Sequence, residues 1–122
     1  MTSVFVVDDA PWFLAAAAAV VSATPGFELI GQARSASETA DRLLGAGATS
    51  PDLILMDVNL GDGSGIDLTS RLLTARPDLR VLLVSSLSED ELPVVAGSCG
   101  ALGFVTKIDL APEVLIRFAP TG

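Results

Sequence analysis

Asp52-Leu53-Ile54-Leu55-Met56-Asp57, running on into Val58-Asn59-Leu60-Gly61-Asp62-Gly63-Ser64-Gly65, is the stretch that decides the fold. Four apolar residues in a row are too few for a free-standing helix and suit a strand buried on both faces. The run ends in a carboxylate, then in a loop of three glycines, Asn and Asp that can adopt turn geometry cheaply. In an open parallel sheet, chemistry collects at the carboxyl ends of the strands. Asp57 stands at such an end.

Three further runs end in the same manner. Val4-Phe5-Val6-Val7 leads to Asp8-Asp9, Val81-Leu82-Leu83-Val84 to Ser85-Ser86, and Gly103-Phe104-Val105-Thr106 to Lys107. If these strands are parallel, three carboxylates, a hydroxyl and an ammonium converge on one rim. Such an acidic cluster suits Mg²⁺, a hard cation that wants oxygen ligands. The lysine could balance a phosphoryl group.

A chain of 122 residues, half of them hydrophobic, has the size and composition of one folded domain. No apolar run approaches the roughly 20 residues of a membrane helix. The longest, Trp12 to Val21, is mostly alanine. No signal peptide is expected, because the amino terminus lacks a basic region and enters a strand at once. A net charge of −8 with no basic cluster argues against nucleic-acid binding by this chain. Cys99 is alone, so no internal disulfide is expected and a reducing cytoplasm is the default. With no histidine, the chain has neither a His general base nor a His phosphodonor of its own.

Between the strands the periodicity turns helical. Pro11 suits a helix start, Phe13, Ala17, Val20 and Val21 recur at helical spacing, and Pro25-Gly26 stops that helix. Phe27 to Ala33 reads as a second strand. Ser35 with Glu38 forms a capping box for a helix ending at Gly45. Ser64 with Asp67 resembles a second cap, before a stripe of Ile66, Leu68, Leu72 and Leu73. A fourth helix is expected to start near Asp90, which puts Pro93 in its first turn, and is weak because of Gly97 and Gly100. A last, short helix fits between Pro112 and Pro120. Strand and helix alternate five times, which predicts an α/β fold: a doubly wound parallel sheet with helices on both faces.

With these residues in place, the chain resembles the receiver domain of bacterial two-component response regulators over essentially its whole length. The Asp-Asp pair, the central Asp, a Ser after the fourth strand and a Lys after the fifth are specific together and weak singly. Asp8-Asp9-Ala10-Pro11, Pro25-Gly26-Phe27-Glu28 and a Lys107 not followed by proline look most like receivers that precede a LuxR-type (NarL-type) helix-turn-helix. The resemblance implies a flavodoxin-like five-stranded sheet in the order 2-1-3-4-5. It also implies that residues 1–122 form one receiver domain, with no effector domain among them.

Carried over residue by residue, the resemblance makes Asp57 the phosphoacceptor for a phosphoryl group from a sensor histidine kinase. Mg²⁺ would be held by Asp9 directly, by Asp8 through water, by Asp57 and by the Asn59 backbone carbonyl. Ser85 and Lys107 would stabilise the phosphoryl group, and Ser85 and Phe104 would act as the switch. The face made by the fourth helix, fifth strand and fifth helix would change on phosphorylation and pair two receivers as a homodimer. Such a domain is no enzyme beyond Mg²⁺-dependent self-phosphorylation from small donors and autodephosphorylation. Three departures stand out: Gly61 replaces a usual proline, suggesting a looser loop; the last helix is short; and residues 1–122 include no effector domain, as expected of either a stand-alone receiver or a fragment of a longer regulator.

Each residue also has a bland reading. Asp8-Asp9 can be a solvated helix start, Lys107 a surface lysine, Ser85 a turn residue, and Phe104 and Cys99 parts of the core. A degenerate receiver would keep the fold as an interaction module without phosphorylation. The rival enzyme is a phosphatase of the haloacid dehalogenase type, which also uses Asp, Ser/Thr, Lys and Mg²⁺. Its nucleophile lies on the first strand, with an acidic Asp two residues on, where this chain has Asn59. A flavodoxin-like nucleotide binder would need a phosphate-cradling glycine loop after the first strand, which is missing.

Overall fold

The structure, a computed structural model, describes residues 1–87 and 98–120. Among the described residues seven strands form: β1 Thr2–Val7, β2 Phe27–Ala33, β3 Leu53–Asp57, the two-residue pair β4 Asn59–Leu60 and β5 Gly63–Ser64, β6 Val81–Ser85 and β7 Gly103–Thr106. Five of them make one parallel sheet in the order β2-β1-β3-β6-β7. With the β4–β5 hairpin set aside, this is the expected order 2-1-3-4-5. Three longer helices, α1 Pro11–Ala23, α2 Ala36–Leu44 and α3 Gly65–Ala75, and a short carboxyl-terminal helix, Pro112–Ile116, complete the described residues.

Strand side chains alternate, and here both faces are covered, so every residue of β3 and β6 is buried. Val4, Val6, Leu53, Leu55, Leu82 and Val84 pack with Phe13, Ala17 and Val21 of α1 and Leu115 of the last helix. Phe5, Val7, Ile54, Met56, Val81 and Leu83 pack on the opposite face with Leu43 of α2 and Ile66, Leu68 and Leu72 of α3. Helices therefore lie on both faces. The sheet brings the carboxyl ends of β1, β3, β6 and β7 to a common rim.

Both predicted amino-terminal caps form. The Ser35 hydroxyl accepts from the Glu38 amide at 3.0 Å, and Ser64 accepts from the Ile66 and Asp67 amides at 3.2 and 3.3 Å. α1 ends at Ala23 because Pro25 disfavours the helical region for Thr24, which is extended at φ −95° and ψ 114° while its hydroxyl donates to the Val20 carbonyl at 2.6 Å. The last helix has five residues, and just beyond it the Phe118 and Ala119 amides bond to carbonyls three residues back. The expected fourth helix, with Asp90, Pro93 and Gly97, falls on residues 88–97, outside the described residues. No helix among the described residues is long and apolar enough to cross a membrane.

The glycine loop after Asp57 differs from its sequence reading in two respects. None of Gly61, Gly63 and Gly65 has a positive φ, so turn freedom is not what these positions require. The loop is also pinned where a looser segment was expected. Asn59 pairs with Ser64 and Leu60 with Gly63 in a small antiparallel hairpin. Outside the hairpin, the Asp62 carboxylate accepts from the Ala36 and Ser37 amides of α2.

Candidate functional site

The rim is built from strand ends. β1 stops at Val7, and the Asp8 amide still bonds to the Ala33 carbonyl at 3.1 Å, which holds Asp8 in line with the sheet. Its Oδ1 then accepts from the Ala10 amide at 2.8 Å, a local turn that leads into Pro11 at the helix start. This leaves Asp8 fully buried, while Asp9 faces solvent. β3 ends in Asp57, 5 % exposed, whose Oδ1 accepts from the Asn59 amide at 3.2 Å.

Lys107 follows β7 at the start of a single 3-10 turn, Lys107–Asp109, that the sequence did not announce. Its Nζ lies 2.6 Å from Asp8 Oδ2 and 3.5 Å from Asp57 Oδ2. The shorter contact is to Asp8 rather than to Asp57, and one ammonium is shared by two carboxylates. The Phe13 and Trp12 ring centroids lie 4.8 and 5.6 Å from the same Nζ, close enough for the ring quadrupoles to attract it. Phe13 had read only as a core position. Aromatic walls beside an ammonium leave no signature in spacing.

Carboxylate oxygens of Asp8, Asp9 and Asp57 lie within 4.8 Å of one another. A single lysine offsets two buried carboxylates and an exposed one, so the cluster remains short of positive charge. Burying such charges unpaired is costly, and a cation at this place would relieve the cost. The donor set is all oxygen, which fits a hard divalent ion. Electrostatics show the same deficit. Burial first, and then the charge of Asp8, push the Asp57 carboxyl up from 3.8 to about 6, although Lys107 and the Asn59 amide pull it down.

Two further predicted residues stand on the neighbouring strands β6 and β7. Ser85 is buried at the end of β6, and its hydroxyl accepts from the Leu87 amide at 3.0 Å. Phe104 is half-buried in β7 and packs on the α2–α3 face of the sheet. Strand alternation puts it on the opposite face from Val105. Of the expected site residues, the structure thus gathers Asp8, Asp9, Asp57 and Lys107, with Asn59 bonded to Asp57.

The description "response regulator receiver domain" matches residues 4–117 of this chain. The DNA-binding transcriptional activator DevR/DosR of Mycobacterium tuberculosis is 37 % identical over 107 residues, covering 88 % of this chain and 48 % of that protein. This chain spans about half the length of the curated relatives it matches. Among solved structures, a LuxR-family two-component response regulator from Aurantimonas superposes with a TM-score of 0.79 at 24 % identity, over 94 % of this chain and 79 % of that one. A Burkholderia pseudomallei response regulator, solved with a phosphorylated aspartic acid, a calcium ion and citrate, gives 0.78 at 26 % identity, over 99 % of this chain and 68 % of that one. Sheet order, rim chemistry and these likenesses agree: the chain belongs to the response regulator receiver domain family of two-component signalling.

Proposed function

We propose that Asp57 accepts a phosphoryl group from the phosphohistidine of a sensor kinase, on a site that Asp8, Asp9, Asp57 and the Asn59 carbonyl prepare for Mg²⁺. The observation that carries this reading is the Lys107 ammonium lying between Asp8 and Asp57 with Asp9 alongside. With a pKa of about 6, Asp57 is ionised at neutral pH and able to attack phosphorus. Its oxygen forms the new P–O bond while the bond to the donor nitrogen breaks. Lys107, already within reach of Asp57, offsets the charge arriving with the phosphoryl oxygens. Bound Mg²⁺ supplies the remaining positive charge at the transferring group. The chain has no histidine, so the donor comes from a partner.

Ser85 is one strand away and tied to the start of the following loop through Leu87. A hydroxyl drawn toward a phosphoryl oxygen would carry that loop with it, and Phe104 would move into the space released. Among the described residues, the resulting change would reach β7 and the last helix, the face through which a phosphorylation-dependent homodimer would form. Turnover is limited to self-phosphorylation by small donors and hydrolysis of the chain's own acyl phosphate. Where the domain is part of a longer regulator, its likeness to the DNA-binding transcriptional activator DevR/DosR supports a transcriptional output.

Acetyl phosphate with Mg²⁺ should add one hydroxylamine-labile phosphoryl group, read by intact mass. The adduct should be absent from Asp57→Asn and from chelated samples; its persistence in either sinks the assignment. A second readout is optical. Trp12, the sole tryptophan, is 60 % exposed and 5.6 Å from Lys107 Nζ, so its emission should change when Mg²⁺ or beryllofluoride binds. Unchanged emission at saturation, with binding established by calorimetry, would mean that the ammonium does not move relative to the ring.

A further inference from the structure

We infer that Asp62 is a positioning residue for the cation site, clamping the loop that carries Asn59 to the amino terminus of α2. This rests on the reading of Asp8, Asp9, Asp57 and Asn59 as Mg²⁺ ligands. A hairpin of two residues per strand is marginal by itself. Gly61 and Gly63, on either side of Asp62, restrain the backbone least of all residues. Something outside the hairpin must therefore hold it.

The outside partner is α2. Asp62 Oδ1 accepts from the Ala36 amide at 2.7 Å, and Oδ2 accepts from the Ser37 amide at 3.1 Å. Both amides belong to the first turn, where no carbonyl inside the helix can serve them. Ser35 already caps α2 through the Glu38 amide. The Asp62 bonds therefore add a tie between segments 26 and 25 residues apart. It is a charge-assisted and two-pronged tie. The two amides hold the Asp62 carboxyl below its usual range, so it stays ionised. α2 in turn is fixed by Thr39 and Leu43, both fully buried.

The same loop touches the acidic cluster. A Cβ at Gly61 would lie 3.5 Å from Asp9 Oδ2, and the Asn59 amide bonds to Asp57 Oδ1. At its far end the Gly65 amide bonds to the Val58 carbonyl at 2.8 Å. The loop is therefore fixed at its base by that bond and at its tip by Asp62, with Asn59 between.

The test is Mg²⁺ affinity by isothermal calorimetry on the whole chain, together with the melting temperature without metal. Asp62→Ala should weaken Mg²⁺ binding about tenfold, the low end of what residues supporting metal ligands typically contribute. Asp62→Asn keeps an oxygen for one of the two amides and should fall between wild type and Asp62→Ala. A carboxylate that only caps α2 would lower the melting temperature of Asp62→Ala and leave its Mg²⁺ affinity at the wild-type value; that result overturns the inference alone. A wild-type chain that binds no Mg²⁺ would overturn the site reading and the inference with it.

Discussion

Replacing Asp57 by asparagine should raise the melting temperature of the metal-free protein at pH 7.5 by roughly 10–15 °C. Burial and the charge of Asp8 raise the Asp57 carboxyl from 3.8 to about 6. A carboxyl raised in this way binds its proton more tightly in the folded chain than in the unfolded one. Stability then falls as pH rises from 3.8 to about 6, and stays lowered above that window. A shift of about two units corresponds to roughly 3 kcal/mol. Asparagine keeps an oxygen for the Asn59 amide and drops the charge, so the penalty disappears. Below pH 3.8 both proteins carry a neutral group and their melting temperatures should converge. Added Mg²⁺ should reverse the ranking, because only the wild type keeps the full set of carboxylates. Calorimetric melts at three pH values decide the matter. An asparagine variant melting at or below wild type at pH 7.5 without metal would show that Asp57 carries no electrostatic strain.

Gly65→Ala should cost about 3 kcal/mol or more, because the new methyl group must displace backbone. A Cβ there would run into the Asp57 carbonyl and reach 3.2 Å from Met56 Cγ. Alanine in place of glycine inside a helix ordinarily gains about 1 kcal/mol, which is too little to compensate. Relieving the contact means moving Asp57 or the start of α3, so Mg²⁺ binding should weaken as well. Gly61→Ala is the matched control, since its Cβ meets only Asp9 Oδ2 at ordinary contact distance. It should change stability by no more than about 0.5 kcal/mol. Urea unfolding of the two variants separates a positional requirement from a general preference for glycine. Equal losses, or none, would contradict the close approach of α3 to β3.

β1, β3 and β6 could be read because each carries a continuous apolar run, a pattern that burial on both faces imposes and few other arrangements tolerate, whereas the edge strands β2 and β7 mix polar and apolar residues. The caps at Ser35 and Ser64 were equally legible, since their partners lie within three residues. Asp8, Asp9, Asp57 and Lys107 followed from strand ends once the strands were parallel. Distances between them did not follow. That Lys107 comes nearer to Asp8 than to Asp57 depends on the Asp8–Ala10 turn and the 3-10 turn after β7, neither of which leaves a period in the sequence. Asp62 was hidden for a similar reason: its partners Ala36 and Ser37 offer only backbone, and backbone donors carry no side-chain signature. Gly65 was misread as a turn glycine because excluded volume between α3 and β3 is a tertiary fact.

Asp8 follows the first strand and Lys107 the last, so their ion pair closes most of the chain into one loop. A chain still emerging from the ribosome presents Asp8, Asp9 and Asp57 long before it presents the ammonium between them. Closing so long a loop comes late, when the edge strand β7 has docked. On the proposed reading, the ammonium that offsets an incoming phosphoryl group is in place only once that loop has closed.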